Sequence, residues 1–207
     1  MARQEFDIHL ALTFDYGQRA AKREIDAARS MCRGMNLEHR AIELGWLGQI
    51  TPTALVNRGK PLPEATPNTL EKDQAQRAQA VWVPNRNGLF VAIGAAFAES
   101  AGAQALIGGF NAEEAASFPD NSESFVNAAN ALLESSTRSG VRLISPTLKM
   151  EKSQIAGLLV ELKIDPADFW CCYEGGEKLC GRCESCARTV RAFKQAGLWN
   201  HLSDRFE

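Results

Sequence analysis

The 207-residue sequence predicts an α/β fold built on a parallel, Rossmann-like sheet with helices on both faces. Three observations carry that reading. Short apolar runs of strand character alternate with longer stretches of helical period along the chain. The first of these repeats, strand, helix, strand, closes within about forty residues, the size of a parallel βαβ unit. Hydrophobic residues make up 45% and charged residues 23%, enough apolar surface for one domain to bury a core without covalent staples.

"FDIHLALTF" (Phe6–Phe14) is a near-continuous apolar run and predicts a buried strand, ended by "DYGQ". From Arg19 to Arg33 the positions Ile25, Ala28 and Cys32 recur at helical spacing, continued by Met35, with Gly34 as the terminator. Cys32 stands alone there and reads as a small buried hydrophobe. "HRAIEL" (His39–Leu44) alternates as a second strand. Thr51–Thr69 carries Pro52, Pro61, Pro63 and Pro67 without a period and predicts a long loop, a type often functional in compact domains. "AVWVPNRNG" leads into a helix from about Asn87 to Ala101, with Phe90, Ile93 and Phe97 facing the core. "QALIGGFN" (Gln104–Asn111) is the next strand. The helix at Ser122–Ser135 turns Phe125, Ala128, Ala129, Leu132 and Leu133 inward, capped by Asp120, Asn121 or Ser122. "VRLISP" (Val141–Pro146) is a further strand, followed by a helix at Lys152–Lys163. The last helix spans Glu184–Ala196 and ends at Gly197. His9 and His39 fall within strand readings, in structural roles.

Several function classes are disfavoured at once. The net charge of −2 provides no basic footprint for nucleic acid, and an RNA-binding module would need clustered Lys/Arg with aromatics. No run reaches the ~18 apolar residues of a membrane span, and "MARQEFDIHL" lacks the apolar core of a signal peptide, so a cytoplasmic protein with no membrane partner is expected. G-x-S-x-G, H-E-x-x-H and Walker-type loops are absent.

"CCYEGGEKLCGRCESC" (Cys171–Cys186) holds five of the six cysteines. A reducing compartment disfavours a disulfide. The overlapping C-x2-C units Cys180–Cys183 and Cys183–Cys186, with Cys172 as the fourth thiol, form a C-x7-C-x2-C-x2-C pattern that suits tetrahedral thiolate ligation of structural zinc. A redox pair or an iron–sulfur cluster is the alternative use of the same thiols. Cys171 reads as a spectator, although its adjacency leaves two candidates for the first coordination position. A closed four-thiolate site has no open position, which places the chemistry elsewhere.

In an open parallel sheet, ligands bind outside the carboxyl ends of the strands. "DYGQR" (Asp15–Arg19), "GGFNAEE" (Gly108–Glu114) and "SPTLK" (Ser145–Lys149) lie there. "VPNRN" (Val83–Asn87) stands at a helix start, where free amides favour an anion and Arg86 adds a bidentate donor. Plainer roles are available for each: Asp15 and Asp120 as helix caps, Arg19, Lys22 and Arg23 as a solvated face, Gly108–Gly109 as a turn, and Arg86 as a surface ion pair.

Together, "LTFDYGQRAAKREIDAAR", "VWVPNRNGLF", "GGFNAEEAASFPDNSESF", "SPTLKMEKSQI" and "WCCYEGGEKLCGRCESCARTVRAF" resemble the 7-cyano-7-deazaguanine synthase family, PP-loop ATP pyrophosphatases of queuosine-precursor biosynthesis. The resemblance runs from about Leu12 to Phe193. It implies an adenine nucleotide alpha hydrolase-like domain over residues 1–207, with a zinc-binding loop within 170–187. It implies an ATP-dependent carbon–nitrogen ligase that converts 7-carboxy-7-deazaguanine or a related base, with ammonia, into the nitrile, and uses Mg2+ with its ATP. Carried onto this chain, it places zinc on Cys172, Cys180, Cys183 and Cys186, and nucleotide or phosphate contacts at Asp15, Tyr16, Gln18, Arg19 and Arg86. Recognition of the base falls to Asn111, Phe118, Pro119 and Asp120, and a homodimer is the implied assembly. Family members carry an S-G-G-x-D-S phosphate loop after a first strand; these 207 residues hold no such motif and begin at what corresponds to the second strand, so that loop is expected upstream or in another chain. "EEAASFPDNS" also departs from the D-Y-S-G-Y-P-D-C-R type of segment. A binding protein of the same fold, non-catalytic or with a different substrate, is the alternative.

Overall fold

The structure, a computed structural model, describes residues 5–165 and 168–207. Its described strands are parallel and form two two-stranded sheets, one in each of two compact units. One unit comprises Leu10–Pro84 and Lys152–Glu207; the other comprises residues 5–9 and 85–151. No helix among the described residues is long and apolar enough to cross a membrane.

In the first unit, β1 (Leu10–Asp15) pairs in parallel with β2 (Glu38–Glu43), from Leu10 opposite Glu38 to Asp15 opposite Glu43. The crossover between them is α1 (Ala21–Gly34), which buries Cys32 as its composition demands. The helix ends at Gly34, as its sequence predicts, but the left-handed residue that closes it comes two positions later. Asn36 adopts the left-handed conformation at φ 51°, its N–H donates to Arg33 O, and the Leu37 N–H donates to Cys32 O. That paired closure needs a residue tolerant of positive φ, and Asn serves where Gly was expected.

β1 starts four residues later than its apolar run, and every residue in it stays partly exposed. The predicted full burial is not met because β1 has a sheet neighbour only on the β2 side among the described strands. His39 sits on β2 with Nε2 2.9 Å from Thr13 Oγ1, while His9 is exposed and precedes the strand.

Two helices in this unit escaped the sequence reading, α2 (Gly45–Gln49) and α3 (Gln74–Val81). The first is a single turn, too short for a period to show. The second is polar at half of its positions, "QAQRAQAV", and its burial of Arg77, Ala78 and Val81 is set by tertiary contact. The proline-rich stretch between them is a loop, as predicted, running over the buried side chains Leu55, Leu62 and Leu70.

The second unit packs α4 (Arg86–Ser100) and α6 (Glu123–Ser136) with β3 (Ala105–Ile107) and β4 (Arg142–Ile144) around Val91, Ala95, Val126, Leu133 and Leu143. β3 and β4 pair in parallel with Leu106 opposite Leu143. The inward face of α4 is Val91, Gly94, Ala95 and Ala98, not the Phe90–Ile93–Phe97 stripe. Small residues let the helix approach β3 closely: a Cβ on Gly94 would lie 2.7 Å from Leu106 Cδ1. In α6, Val126, Ala129 and Leu133 are buried and Leu132 is 61% exposed, because the core covers a narrower stripe than the apolar positions offer. Ser122 is the cap, its side chain accepting from Phe125 N. Between β3 and α6 lies the short α5 (Ala112–Ala115).

Candidate functional site

After α7 (Lys152–Glu161) the first unit's chain enters the cysteine loop, which ends in α8 (Glu184–Gln195). The Sγ atoms of Cys172, Cys180, Cys183 and Cys186 all lie within 4.8 Å of one another, in residues at most 6% exposed. Cys171 is outside that group. The Cys180 and Cys186 sulfurs are 3.9 Å apart, close to the ~3.8 Å separation of two thiolates on a tetrahedral ion with bonds of about 2.3 Å. Backbone amides point at the sulfurs: Glu174 N and Cys180 N donate to Cys172 Sγ, Cys183 N to Cys180 Sγ, and Cys186 N to Cys183 Sγ. The last of these is also the cap of α8, so the helix start is built by a ligand candidate.

Hydrogen bonds from Cys172, Cys183 and Cys186 hold the Cys180 thiol far below its ordinary range. Cys183 is pushed up, first by its hydrogen bonds to Cys172 and Cys180, and Cys186 by those to Cys171 and then the other three. The four thiols thus compete for the same protons, and as thiolates they form a donor set suited to a divalent cation. The four cysteines can hold a metal ion.

The loop is tied down on three sides. Ala65 N donates to Arg182 O, and Glu64 bridges Cys183. The carboxyl-terminal segment bridges Leu179 through Phe206, with Leu179 N donating to Arg205 O. The third tie is to the end of β1. Gly175, at φ +72°, brings its loop so close to the Arg19 backbone that a Cβ there would lie 2.6 Å from the Arg19 carbonyl oxygen. Beside it the Glu174 carboxylate is 3.3 Å from Arg19 Nη1.

The Asp15–Arg19 turn is held by its own side chains. Asp15 Oδ1 accepts from Gly17 N at 2.9 Å, and Gly17 takes φ +87°. Asp15 therefore caps a turn rather than α1, whose first residue is Ala21. Gln18 is buried: Oε1 accepts from Tyr16 N, while Nε2 donates to Phe14 O and Glu24 Oε2. Its amide fixes the strand-to-helix passage, and Tyr16 is buried beside it. Arg19 Nη2 donates to Asn57 O and Lys60 O, fastening the proline-rich loop to the turn.

The second unit brings together "NRN" (Asn85–Asn87) and "SFPDN". Asn87 is buried at the start of α4, and its Nδ2 donates to Asp120 O at 3.1 Å. Asp120 Oδ1 accepts from Asn121 Nδ2. Asn111, at the end of the glycine turn, caps α5 by accepting from Glu114 N. "GGFN" and "SPTLK" also meet, since the Ser145 and Thr147 hydroxyls donate to Phe110 O at 3.1 and 2.7 Å. Arg86, Phe118 and Pro119 belong to this same unit, whereas Asp15–Arg19 belongs to the other.

The family model described as "Queuosine biosynthesis protein QueC" matches residues 1–197. The chain belongs to the QueC family. Among curated proteins, this QueC-family chain is 44% identical over 213 residues to the 7-cyano-7-deazaguanine synthase of Methanosarcina barkeri, covering 99% of this chain and 91% of the relative. It is 50% identical over 194 residues to that of Pelotomaculum thermopropionicum, covering 93% and 88%. To the synthase of Desulforamulus reducens it is 47% identical over 201 residues, covering 95% and 87%. The chain is thus an enzyme of a synthase family. Two QueC-chain residues that organise these segments went unnoticed in the sequence. Asn87 is the final residue of "VPNRN", where the sequence points to Arg86 as the donor. Glu174 had no local signal, since its partner Arg19 is 155 positions away.

Proposed function

We propose that the chain is a 7-cyano-7-deazaguanine synthase of queuosine biosynthesis. The observation that carries this reading is the 41–50% identity to curated proteins of that name across nearly all of the chain. The reaction converts 7-carboxy-7-deazaguanine to the nitrile in two activations. In the first, the substrate carboxylate attacks the α-phosphorus of ATP, pyrophosphate leaves, and ammonia displaces AMP to give the amide. In the second, the amide oxygen attacks the α-phosphorus of another ATP, pyrophosphate leaves again, and loss of AMP and of the two nitrogen-bound protons leaves the C≡N bond.

Such chemistry requires neutralised phosphates and a site closed to water, because an acyl-adenylate hydrolyses. On this reading Arg19 and Arg86 neutralise phosphate oxygens, and Mg2+ accompanies ATP. Asp15 and Gln18 hold the turn that presents Tyr16 and Arg19, a role their hydrogen bonds support. Asn111, Phe118, Pro119 and Asp120 line the place of the base, with Asn87 fixing the Asp120 carbonyl. Cys172, Cys180, Cys183 and Cys186 hold zinc, which as a closed tetrathiolate centre supplies folding energy and no chemistry. All of these segments work as one PP-loop-type domain with its zinc loop at 170–187, acting in the cytoplasm and assembling as a homodimer.

The test is pyrophosphate release by the purified chain, supplied with a segment that bears the S-G-G-x-D-S loop, with ATP, ammonia and 7-carboxy-7-deazaguanine. Release that depends on both the carboxylated base and ammonia is the expected result. Tight binding of the base without release would instead identify a binding protein of the same fold.

A further inference from the structure

The four clustered sulfurs are not held alike. Cys183 caps α8 and Cys186 stands in its first turn, so a buried helix fixes both. Cys172 and Cys180 lie outside every described helix and strand. Eight positions separate these two in the chain, yet Cys180 N donates to Cys172 Sγ. Bringing two loop-borne thiolates to one ion costs chain entropy unless other contacts order their backbone first.

Residues 203–207 make such contacts on both limbs of the loop. The segment follows Leu202, which is 1% exposed and packs with Ala156 of α7 and Phe193 of α8. Leu179, the fully buried residue before Cys180, has both of its backbone groups engaged there. Its N–H donates to Arg205 O at 2.9 Å, and its carbonyl accepts from Glu207 N at 3.0 Å. On the other limb, Arg205 Nη1 donates to Phe169 O at 2.7 Å. The same guanidinium lies 5.6 Å from the Phe169 ring centre and 5.9 Å from that of Trp170, within range for cation–π attraction. Trp170 in turn donates its indole Nε1–H to Cys172 O at 2.8 Å. Arg205 therefore reaches toward Cys172 with its side chain and toward Cys180 with its carbonyl. Phe206, the next residue, packs against the cysteine cluster itself.

We propose that residues 203–207 form a strap that closes the metal centre, with Arg205 as the positioning residue for Cys172 and Cys180. The strap sets how fast a bound zinc ion leaves, because the ion departs only as ligands swing away and the two loop-borne cysteines are the freer pair. The inference rests on the reading of the four cysteines as a zinc site and is independent of the reaction. Within the strap the backbone of Glu207 matters more than its carboxylate. That carboxylate pairs with Arg182 at 3.0 Å, but both side chains are half exposed, and such a pair contributes little.

Zinc transfer from the loaded full chain to an excess of a chromogenic chelator measures that rate. Arg205→Gln, which loses the cation, should release zinc about tenfold faster than the parent, as is usual for groups that orient metal ligands. Arg205→Lys keeps a cation and a donor and should fall between the two. Glu207→Pro removes the N–H that Leu179 O accepts and should speed release about fivefold, whereas Glu207→Gln should match the parent. A merely structural role would lower the unfolding temperatures of the metal-free and zinc-loaded chains alike. A positioning role instead shrinks the rise in unfolding temperature that zinc brings, because that rise follows the affinity for the ion. Arg205→Gln is expected to show the smaller rise. Release from Arg205→Gln at the parent rate, or an unchanged rise on zinc addition, overturns the strap and leaves the zinc reading intact. If Arg205→Gln does not fold, the Glu207 variants decide: equal release from Glu207→Pro and Glu207→Gln overturns the strap. A parent that takes up no stoichiometric zinc overturns both readings.

Discussion

The Glu184 carboxylate lies at 1% exposure between two arginines. Oε1 accepts from Arg188 Nη2 at 2.7 Å, and Arg77 Nε is 3.9 Å from Oε2, which has no hydrogen bond among the described residues. Removing the carboxylate leaves buried guanidinium charge without its partner. Glu184→Ala should therefore cost about 3–5 kcal/mol in urea unfolding, and Glu184→Gln less, since the amide oxygen still accepts. His39 gives a pH-dependent term of opposite character. Burial, and then the nearby Arg29, lower its pKa from 6.5, so the folded chain favours the neutral ring. The unfolded chain binds the proton more readily, and the contribution is complete above pH 6.5 and lost as pH falls through the lower folded value. The midpoint of urea unfolding should fall between pH 7 and pH 5 by less in His39→Asn than in the parent. At the metal centre, Cys186→Ser should abolish stoichiometric zinc by elemental measurement, while Cys171→Ser should retain it. Loss of zinc from both would show that five thiols share the site.

At the scale of elements, the short helix α2 is fitted under the β1 turn with no room to spare. A Cβ on Gly48 would lie 2.1 Å from the Tyr16 carbonyl oxygen, a backbone atom that cannot swing aside. Gly48→Ala should destabilise by about 3 kcal/mol, the upper end of overpacking costs, and displace Tyr16. Thermal unfolding would read the first effect and intrinsic fluorescence of neighbouring Trp46 the second. The ordinary cap of α6 provides a contrast: Ser122→Ala removes one acceptor from Phe125 N and should cost about 1 kcal/mol. A loss at Ser122 as large as at Gly48 would contradict the distinction between a surface cap and a backbone collision.

Across the whole molecule, removal of metal should act on the unit formed by Leu10–Pro84 and Lys152–Glu207 first. Its cysteine loop is tied to the residue 57–65 loop, the carboxyl-terminal segment and the end of β1. Chelation at neutral pH should lower the unfolding temperature and raise amide exchange in residues 57–65 before it does so in α4 or α6. Equal, simultaneous exposure of both units would show that the metal centre supports the entire fold uniformly. The α/β class, the parallel strands and most helices were legible in the sequence, because each rests on a local period or a cap: Ser122 and Gly197 both act within a turn. The cysteine cluster was legible for the same reason, since C-x2-C spacing alone puts two sulfurs within reach of one ion. What sequence by itself determined, then, is whatever interactions over a few residues decide. Which face of α4 is buried, how little of β1 is covered, the partnership of Arg19 with Glu174 and that of Asn87 with Asp120 were decided only by tertiary structure. These depend on close approach between segments far apart in the chain, and no local pattern records the distance between them.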